Sequence, residues 1–291
     1  MLKRTMLLSA GALLGLSSAT AAQDISSIEI TSEQVADNIW MLRGAGGNMG
    51  LHAGEDAVFL IDDQFAPLTD KILAEVQRLT GRGVDFVLNT HYHGDHTGGN
   101  ENLGDAGALI FGHENVRTRI IEDNGAPGNA PVVTFSDRQS FHINGEDVRA
   151  YHVHHAHTDG DAFVYFENAN VLHTGDLVFE IAIGSFPFID LNGGGSVPGA
   201  IAAIDSMLKL ADADTVVVPG HGNVMDREGL VAYRLMLTTI RDNVQALIDE
   251  GKTKEEAVAA KPAEAYRTGR VGGFISEDVF VATVYDSLTA E

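Results

Sequence analysis

Four metal-ligand side chains within six positions are the feature that most constrains this chain. They follow the short apolar run VDFVLN, residues 84–89, which is typical of a buried strand. A His-x-His pair just past a strand end can aim two imidazoles at one ion, and the next ligand residues can face a second ion. The motif therefore predicts an α/β fold with a metal site at a strand end, and its ligands are His91, His93, Asp95 and His96.

Three further candidates follow later strands: His157 in AHTDGD, Asp176 in LHTGDLV and His221 in VPGHG. We select His157 because the turn after it carries it off the strand end, with His155 as the alternative. Asp176 has two carboxylate oxygens and can bridge two cations, as two-metal hydrolases require. Four other histidines either orient the ligands through their ring N–H groups or are ordinary strand residues; they are His152, His154, His155 and His173.

Composition limits the partners and the kind of metal site. The chain has no cysteine, so disulfides and thiolate ligands are excluded and any metal must use imidazole and carboxylate. Its formal net charge of −22 repels phosphodiester backbones and anionic membranes. We therefore expect a small-molecule substrate, with no nucleic-acid or membrane partner.

The N-terminal segment has the pattern of a secretory signal peptide. Lys3 and Arg4 precede an apolar run at residues 6–16, and small residues follow at 19–21. This run is well short of the roughly 20 apolar residues that a spanning helix needs. The sequence predicts that residues 1–22 are removed and that the mature protein is periplasmic or secreted.

Hydrophobic periodicity predicts an arrangement of strands and helices that occurs twice along the chain. Strands are expected at 40–43, 57–62, 84–89, 108–111, 148–154, 162–166, 170–173 and 215–218, and helices at 67–79, from 98, and at 198–210, 227–250 and 254–260. No stretch is rich enough in Pro, Ser or charge to separate independent domains. We predict a single domain, 23–291, whose halves meet near residue 145 (about 23–145 and 146–291), with the site between them.

The ordered set HxHxDH, His, Asp, His resembles the metallo-β-lactamase superfamily over nearly the whole mature chain. The resemblance implies an αββα sandwich of two similar halves with a two-zinc site at one edge. By position, His91, His93 and His157 would bind the first zinc and Asp95, His96 and His221 the second, with Asp176 binding both. A hydroxide shared by the two ions would attack a carbonyl, and Asp95 would orient it or shuttle its proton.

Differences between this sequence and better-known members of the superfamily limit the activities that we expect. The familiar secreted β-lactamases of the fold use a cysteine on the second zinc and a nearby lysine for the substrate carboxylate. This chain has no cysteine, and no Lys or Arg lies between Asp176 and Lys209, although Ser185 or Asn192 can supply hydrogen bonds. β-Lactamase-type hydrolysis is the first named possibility. A glyoxalase-II-like lactonase or thioesterase is the alternative, followed by an iron-dependent sulfur dioxygenase and a non-catalytic periplasmic metal-binding protein.

Two loops are expected to form the substrate rim. The first is GAGGNMG, residues 44–50, and the second is FEIAIGSFPFIDLNGGGS, residues 179–196. Their apolar side chains favour substrates with apolar substituents, unless they are core residues beneath the loops. The predicted substrate contacts are Asn48, Met49, Phe186 and Asn192.

Overall fold

The computed structural model describes residues 25–180, 183–270 and 273–290, so the predicted signal peptide lies outside the described residues. The described strands are β1 Thr31–Ala36, β2 Ile39–Arg43, β3 Met49–Ala53, β4 Val58–Ile61, β5 Phe86–Leu88, β6 Leu109–His113, β7 Val133–Phe135, β8 Arg138–Ile143, β9 Glu146–His152, β10 Ala162–Phe166, β11 Val171–His173 and β12 Val216–Val218. The helices are α1 Thr69–Thr80, α2 Gly94–Thr97, α3 Asn100–Asp105, α4 Glu114–Glu122, α5 Val197–Leu208, α6 Arg227–Asp249, α7 Lys254–Ala259 and α8 Glu277–Thr289.

Two sheets form the centre of the molecule. The first has seven strands in the order β1 to β7, antiparallel from β1 to β4 and parallel from β4 to β7. The second has five strands in the order β12-β11-β10-β9-β8, with β11 and β12 parallel and the other pairs antiparallel. Parallel strands are normally covered on both faces, and the four residues of β4 are all buried.

The three largest hydrophobic cores make the molecule an αββα sandwich, as the family resemblance implies. Phe59 and Ile61 of β4 pack against Val148 and Val164 of the second sheet, so one core fills the space between the sheets. The alternate side chains of β4 face α1 instead, because successive residues of a strand point to opposite faces. A third core joins the second sheet to α5, α6 and α8.

The boundary between the sheets differs from the predicted one. The first sheet ends at Phe135 and the second begins with β8 at Arg138, several residues before the predicted boundary near residue 145. β8 and β9 form a hairpin whose two turn residues, Asn144 and Gly145, both have positive φ. An Asn-Gly pair between two strands is the strongest short hairpin signal, and residue 145 therefore lies in a turn of the second half.

The predicted amphipathic helices coincide closely with α1, α5, α6 and α7. The sequence predictions did not include α2, α4, α8 or the strands β1, β3, β7 and β8. β1 is an edge strand with a largely polar sequence, TSEQVA, which carries no apolar alternation. Within the described part of the chain, no helix combines the length and the apolar character needed to cross a bilayer.

Candidate metal centre

The seven predicted ligands come together in two adjoining groups. His91, His93, His157 and Asp176 form the first, and Asp95, His96 and His221 the second; within each group the ligand atoms lie within 4.8 Å of one another. They follow the carboxyl ends of β5, β9, β11 and β12, so both sheets contribute. The grouping is the same as the one that the resemblance implies.

Three imidazoles of the first group converge on a small space. The Nδ1 atom of His93 lies 3.1 Å from Nε2 of His91 and 3.0 Å from Nε2 of His157. Asp176 closes the group, because its Oδ2 atom is 3.8 Å from Nε2 of His91 and 3.7 Å from Nε2 of His157. Three nitrogens and one carboxylate oxygen match the number and type of donors in a zinc site.

Asp176 also reaches the second group through its other oxygen. Its Oδ1 atom lies 3.1 Å from Nε2 of His96 and 3.4 Å from Nε2 of His221. Asp95 completes this group, with Oδ2 at 3.3 Å from Nε2 of His221 and 3.6 Å from Nε2 of His96. One carboxylate therefore spans both groups, as a bridging ligand must.

The chemistry of the buried donors shows whether a metal fits here. Nε2 of His96 and Oδ1 of Asp176 are both buried, and their only close polar neighbours among the described residues are each other, at 3.1 Å, and further ligand atoms of the same centre. Neither atom makes a hydrogen bond of good geometry. Imidazole nitrogens and carboxylate oxygens that face one another in this way are the donors that a divalent cation uses, so the donor set fits a metal.

Protonation states in the first ligand group suit metal binding, whereas the second group must release protons to bind a metal. Although burial opposes both shifts, Asp176 and neighbouring carboxylates raise the pKa of His221 to about 9 and that of His96 well above its ordinary value. Burial lowers the pKa of His91 well below its ordinary value and that of His157 to about 4, so both rings are neutral, the form that binds metals. Burial alone would raise the pKa of Asp176, but His96 and His221 outweigh it and hold the pKa well below the usual range. The bridging carboxylate is therefore ionised.

His96 is oriented by Asp62, a residue that the sequence reasoning missed. Asp62 is fully buried, and its Oδ2 atom accepts a hydrogen bond from His96 Nδ1 at 2.8 Å. Thr90 donates to the same carboxylate through both its backbone N–H and its hydroxyl, at 2.7 Å each. With Nδ1 engaged, the ring presents Nε2 to the centre. The sequence signal that could have identified Asp62 is its position as a carboxylate at the end of the strand AVFLID, next to β5.

The other side of the centre has its own orienting groups. His157 Nδ1 donates to the carbonyl of Phe188 at 2.8 Å, which points Nε2 at the first group. His93 Nε2 lies 3.1 Å from Oδ2 of Asp190, and the hydroxyl of Tyr92 donates to that same oxygen at 2.5 Å. Although burial opposes it, hydrogen bonds from His93 and Tyr92 lower the pKa of Asp190. Sequence reasoning missed both Tyr92 and Asp190.

Two glycines allow the backbone to pass directly over the ligands. A Cβ atom at Gly47 would lie 2.1 Å from Cε1 of His96, and one at Gly220 would lie 2.2 Å from Oδ1 of Asp176. Both distances are far below van der Waals contact. The GAGGNMG segment therefore packs against the centre, and Gly47 N–H also donates to the carbonyl of Asp95 at 3.1 Å.

This packing corrects two of the predicted substrate contacts. Asn48 is buried and its amide donates to the carbonyls of Pro219 at 2.8 Å and Gly222 at 2.9 Å, so it braces the turn that carries His221. Met49 is fully buried in the core between the first sheet and α1, because it begins β3 with its side chain on that face. Met49 is therefore not on the substrate rim. Asn48 lines a small cavity next to His221, but its amide is already engaged by Pro219 and Gly222.

The other two predicted contacts differ from each other. Phe186 lines a cavity of about 560 Å³ that opens beside His93, Asp95, Asp176 and His221. Asn192 is exposed and is not among the lining residues. Phe65 and Phe274, which the sequence reasoning missed, do line the cavity, and both are distant in sequence from the predicted rim loop.

The remaining histidines do not join the two ligand groups. His155 is exposed and its Nδ1 donates to the carbonyl of Gly194 at 2.9 Å, so it is not the third imidazole of the first group. His152 stacks on His113 with ring centroids 3.6 Å apart, and its Nε2 is 3.1 Å from Nδ1 of His154. His173 is fully buried beside the centre and lies 3.2 Å from the carbonyl of Asn48.

Comparison with known proteins agrees with this geometry. The family model described as the metallo-beta-lactamase superfamily matches residues 42–221, which include all seven candidate ligands. The chain belongs to the metallo-beta-lactamase superfamily. A metallo-beta-lactamase from Pontibacter korlensis has the same fold, with a TM-score of 0.63 and 20% identity over 72% of this chain and 99% of that one.

Two relatives named as a hydrolase and a thioesterase match over shorter stretches. A hydroxyacylglutathione hydrolase from Pelagibacter ubique is 31% identical over 34% of this chain and 38% of its own length. An atrochrysone carboxyl ACP thioesterase from Aspergillus terreus is 31% identical over 43% of this chain and 36% of its own length. The chain thus spans little more than a third of either relative.

Proposed function

We propose that this protein is a binuclear zinc hydrolase that opens a carbonyl bond in a small molecule. The observation that carries the proposal is Asp176, whose two oxygens face two separate groups of ligand atoms. Two-metal sites held by such a bridge are typical of hydrolases. The family match and the names of the hydrolase and thioesterase relatives support the same chemistry.

His91, His93, His157 and Asp176 would hold one ion, and Asp95, His96, His221 and Asp176 the other. Bound divalent zinc would supply activated water and would polarise the carbonyl oxygen. Imidazole and carboxylate ligands suit zinc and iron alike, so the number of ions separates the two proposals, because an iron-dependent dioxygenase would use a single iron. Metal analysis separates these proposals, with two zinc ions per chain expected for the hydrolase.

Asp95 is the side chain best placed to accept the proton of the attacking water. It lines the cavity, its side chain is 27% exposed, and Oδ2 lies 3.3 Å from Nε2 of His221. Burial raises its pKa, but His96 and His221 outweigh burial, and the net shift is downward. Asp95 is thus ionised at neutral pH and can accept the proton of an attacking water and pass it to the leaving group.

The bond class is tested by a substrate panel on metal-loaded protein. The panel contains a chromogenic cephalosporin, a carbapenem, acyl-homoserine lactones, a glutathione thioester and simple aryl esters. Hydrolysis at this centre is supported if chelation and Asp95→Asn each abolish turnover. The control variant His155→Ala, which changes an exposed histidine outside the ligand groups, should keep its turnover. Two bound zinc ions with no turnover of any of these compounds would refute it and favour a non-catalytic metal-binding role.

We also propose that the protein acts outside the cytoplasm. The proposal rests on the charged, apolar and small-residue succession of residues 1–22. Fractionation of cells that express the full chain tests it: a mature form beginning near residue 23 is expected outside the cytoplasm. Retention of the uncut chain in the cytosol would contradict it.

A further inference from the structure

The cavity beside the metal centre has an almost wholly apolar wall. Seven apolar side chains surround the space that a substrate would occupy once its carbonyl is at the ligands: Phe65, Phe179, Ile183, Phe186, Phe188, Phe274 and Ile275. Its volume of about 560 Å³ is within the range of small-molecule sites, about 300–1,000 Å³. A substrate that fills this cavity buries most of its own surface against apolar side chains.

The polar side chains of the lining are already engaged. His93, Asp95, Asp176 and His221 belong to the ligand groups. Ser185 is the remaining polar lining residue among those described, and its hydroxyl donates to the carbonyl of Phe186 at 2.8 Å and accepts from the N–H of Ile275 at 2.8 Å. Beyond the reacting bond, the described lining has no free side-chain hydrogen-bonding group for a substrate.

The described lining of this cavity has no lysine or arginine. Arg270 lies near it, with its guanidinium carbon 5.9 Å from the ring centroid of Phe186, but it is not a lining residue. The Arg270 side chain is used in the fold, since Nη1 donates to the carbonyl of Tyr266 at 3.3 Å. A substrate carboxylate at the outer end of the cavity, away from the ligand groups, would have no lysine or arginine partner in the described lining, and an unpaired buried charge is costly.

Aromatic rings connect the ligands to the cavity mouth. The ring of Phe188 lies 5.6 Å from that of His93 and 5.7 Å from that of His157, measured between centroids. Phe274 meets Phe188 edge-to-face at 6.1 Å, yet its own side chain is 85% exposed. A large apolar side chain in water at the mouth of an apolar cavity gains contacts when an apolar ligand enters.

We propose that the part of the substrate next to the reacting carbonyl is an uncharged, apolar acyl group that fills this cavity, with Phe274 covering its outer end. This rests on the proposed hydrolase function. It favours esters, thioesters or lactones with aliphatic or aromatic acyl groups over the carboxylate-bearing β-lactams. Phe274 is therefore a specificity-determining residue.

The test measures kcat/KM of zinc-loaded protein on p-nitrophenyl acetate, butyrate and hexanoate, and on the mono-p-nitrophenyl ester of adipic acid. Adipate has the chain length of hexanoate and adds a terminal carboxylate. Each methylene buried should raise kcat/KM about three- to fourfold. The adipate ester should be turned over at least about tenfold less efficiently than the hexanoate ester, since its charge stays unpaired.

Phe274→Ala isolates the role of the aromatic cover. We expect about a tenfold loss of kcat/KM on the hexanoate ester and less than about a twofold change on the acetate ester. Because Phe274 is so exposed, stability should not change. Leu235→Ala is the matched control: Leu235 is 58% exposed on α6, is not a cavity-lining residue, and should leave all four esters unaffected.

Equilibrium binding of the neutral dye Nile red provides a readout without turnover. The dye should bind the wild type and Leu235→Ala alike and Phe274→Ala more weakly. Turnover that is independent of acyl length, or equal for adipate and hexanoate, would overturn the acyl preference while leaving the hydrolase proposal standing. Dye binding that depends on Phe274 without turnover of any ester would preserve the apolar site and refute ester hydrolysis.

Discussion

Asp62→Asn is the perturbation that tests most directly how the fold prepares the second ligand group. Asp62 accepts three hydrogen bonds, from Thr90 N–H, Thr90 Oγ1 and His96 Nδ1. An asparagine has one carbonyl oxygen and one amide group in place of the two oxygens. At least one of the three donors must then face another N–H. The backbone itself should tolerate the change, because φ at Asp62 is 59° and Asn adopts that region readily.

The expected magnitude follows from these contacts. Loss of an outer partner of a ligating histidine costs about 10–100-fold in metal affinity. Breaking hydrogen bonds to a buried carboxylate also lowers the free energy of unfolding by about 2–3 kcal/mol. We therefore expect the variant to keep one zinc tightly, to lose the second in chelator competition, and to unfold at lower urea concentration.

The neighbouring residue supplies a matched control. Asp63 is also fully buried, but burial raises its pKa well above the ordinary value, which favours its neutral form. Its Oδ1 accepts from Gly99 N–H at 2.9 Å, and Oδ2 has no partner among the described residues. Asp63→Asn should consequently leave zinc stoichiometry and affinity nearly unchanged. If Asp62→Asn binds two zinc ions as tightly as wild type, the orienting role assigned to Asp62 is wrong.

Three further outcomes are expected. Asp95→Asn should retain part of its metal while turnover falls by about 10²–10⁴-fold, since the proton acceptor is lost; near-normal turnover would exclude that role. Chelation should lower the thermal midpoint, because ions that bind the folded chain and not the unfolded one stabilise the fold; an unchanged midpoint would count against metal binding at this centre. Burial lowers the pKa of His173 from 6.5 to about 4. Between pH 6.5 and about 4 the unfolded chain therefore binds a proton at this residue that the folded chain does not. The free energy of unfolding falls by up to ~3 kcal/mol as the pH drops through this range. Urea titrations of metal-free wild type and His173→Gln across pH 4–7 check this, with a shallower loss expected in the variant.

The ligand residues could be predicted from sequence because they combine two local signals. Each is a metal-binding residue type, and each follows an apolar strand whose end is marked by turn residues, as Leu88 precedes the His91 motif and Val218 precedes His221. Strand ends in α/β folds gather at common edges, so such residues are expected to meet. The grouping into two sets came from the family resemblance.

The orienting and rim residues lacked such signals. Asp190 and Phe274 reach the site through long-range contacts with His93 and Phe188, and nothing in their local sequence shows those contacts. Met49 has the opposite problem, because a glycine-rich segment indicates a loop while the chain already begins β3 there. Side-chain direction in that strand depends on its register against β2 and β4, which is a tertiary property.

The division of the ligands between the two sheets has a consequence for folding. His91, His93, Asp95 and His96 follow β5 of the first sheet, whereas Asp176 and His221 follow β11 and β12 of the second. In a chain without cysteine, no disulfide can join such distant segments. Metal ions held between them would join these segments in the folded chain, and because the unfolded chain has no preformed site, their binding free energy would stabilise the fold. Zinc supply would then determine how long the folded protein persists, in addition to whether it is active.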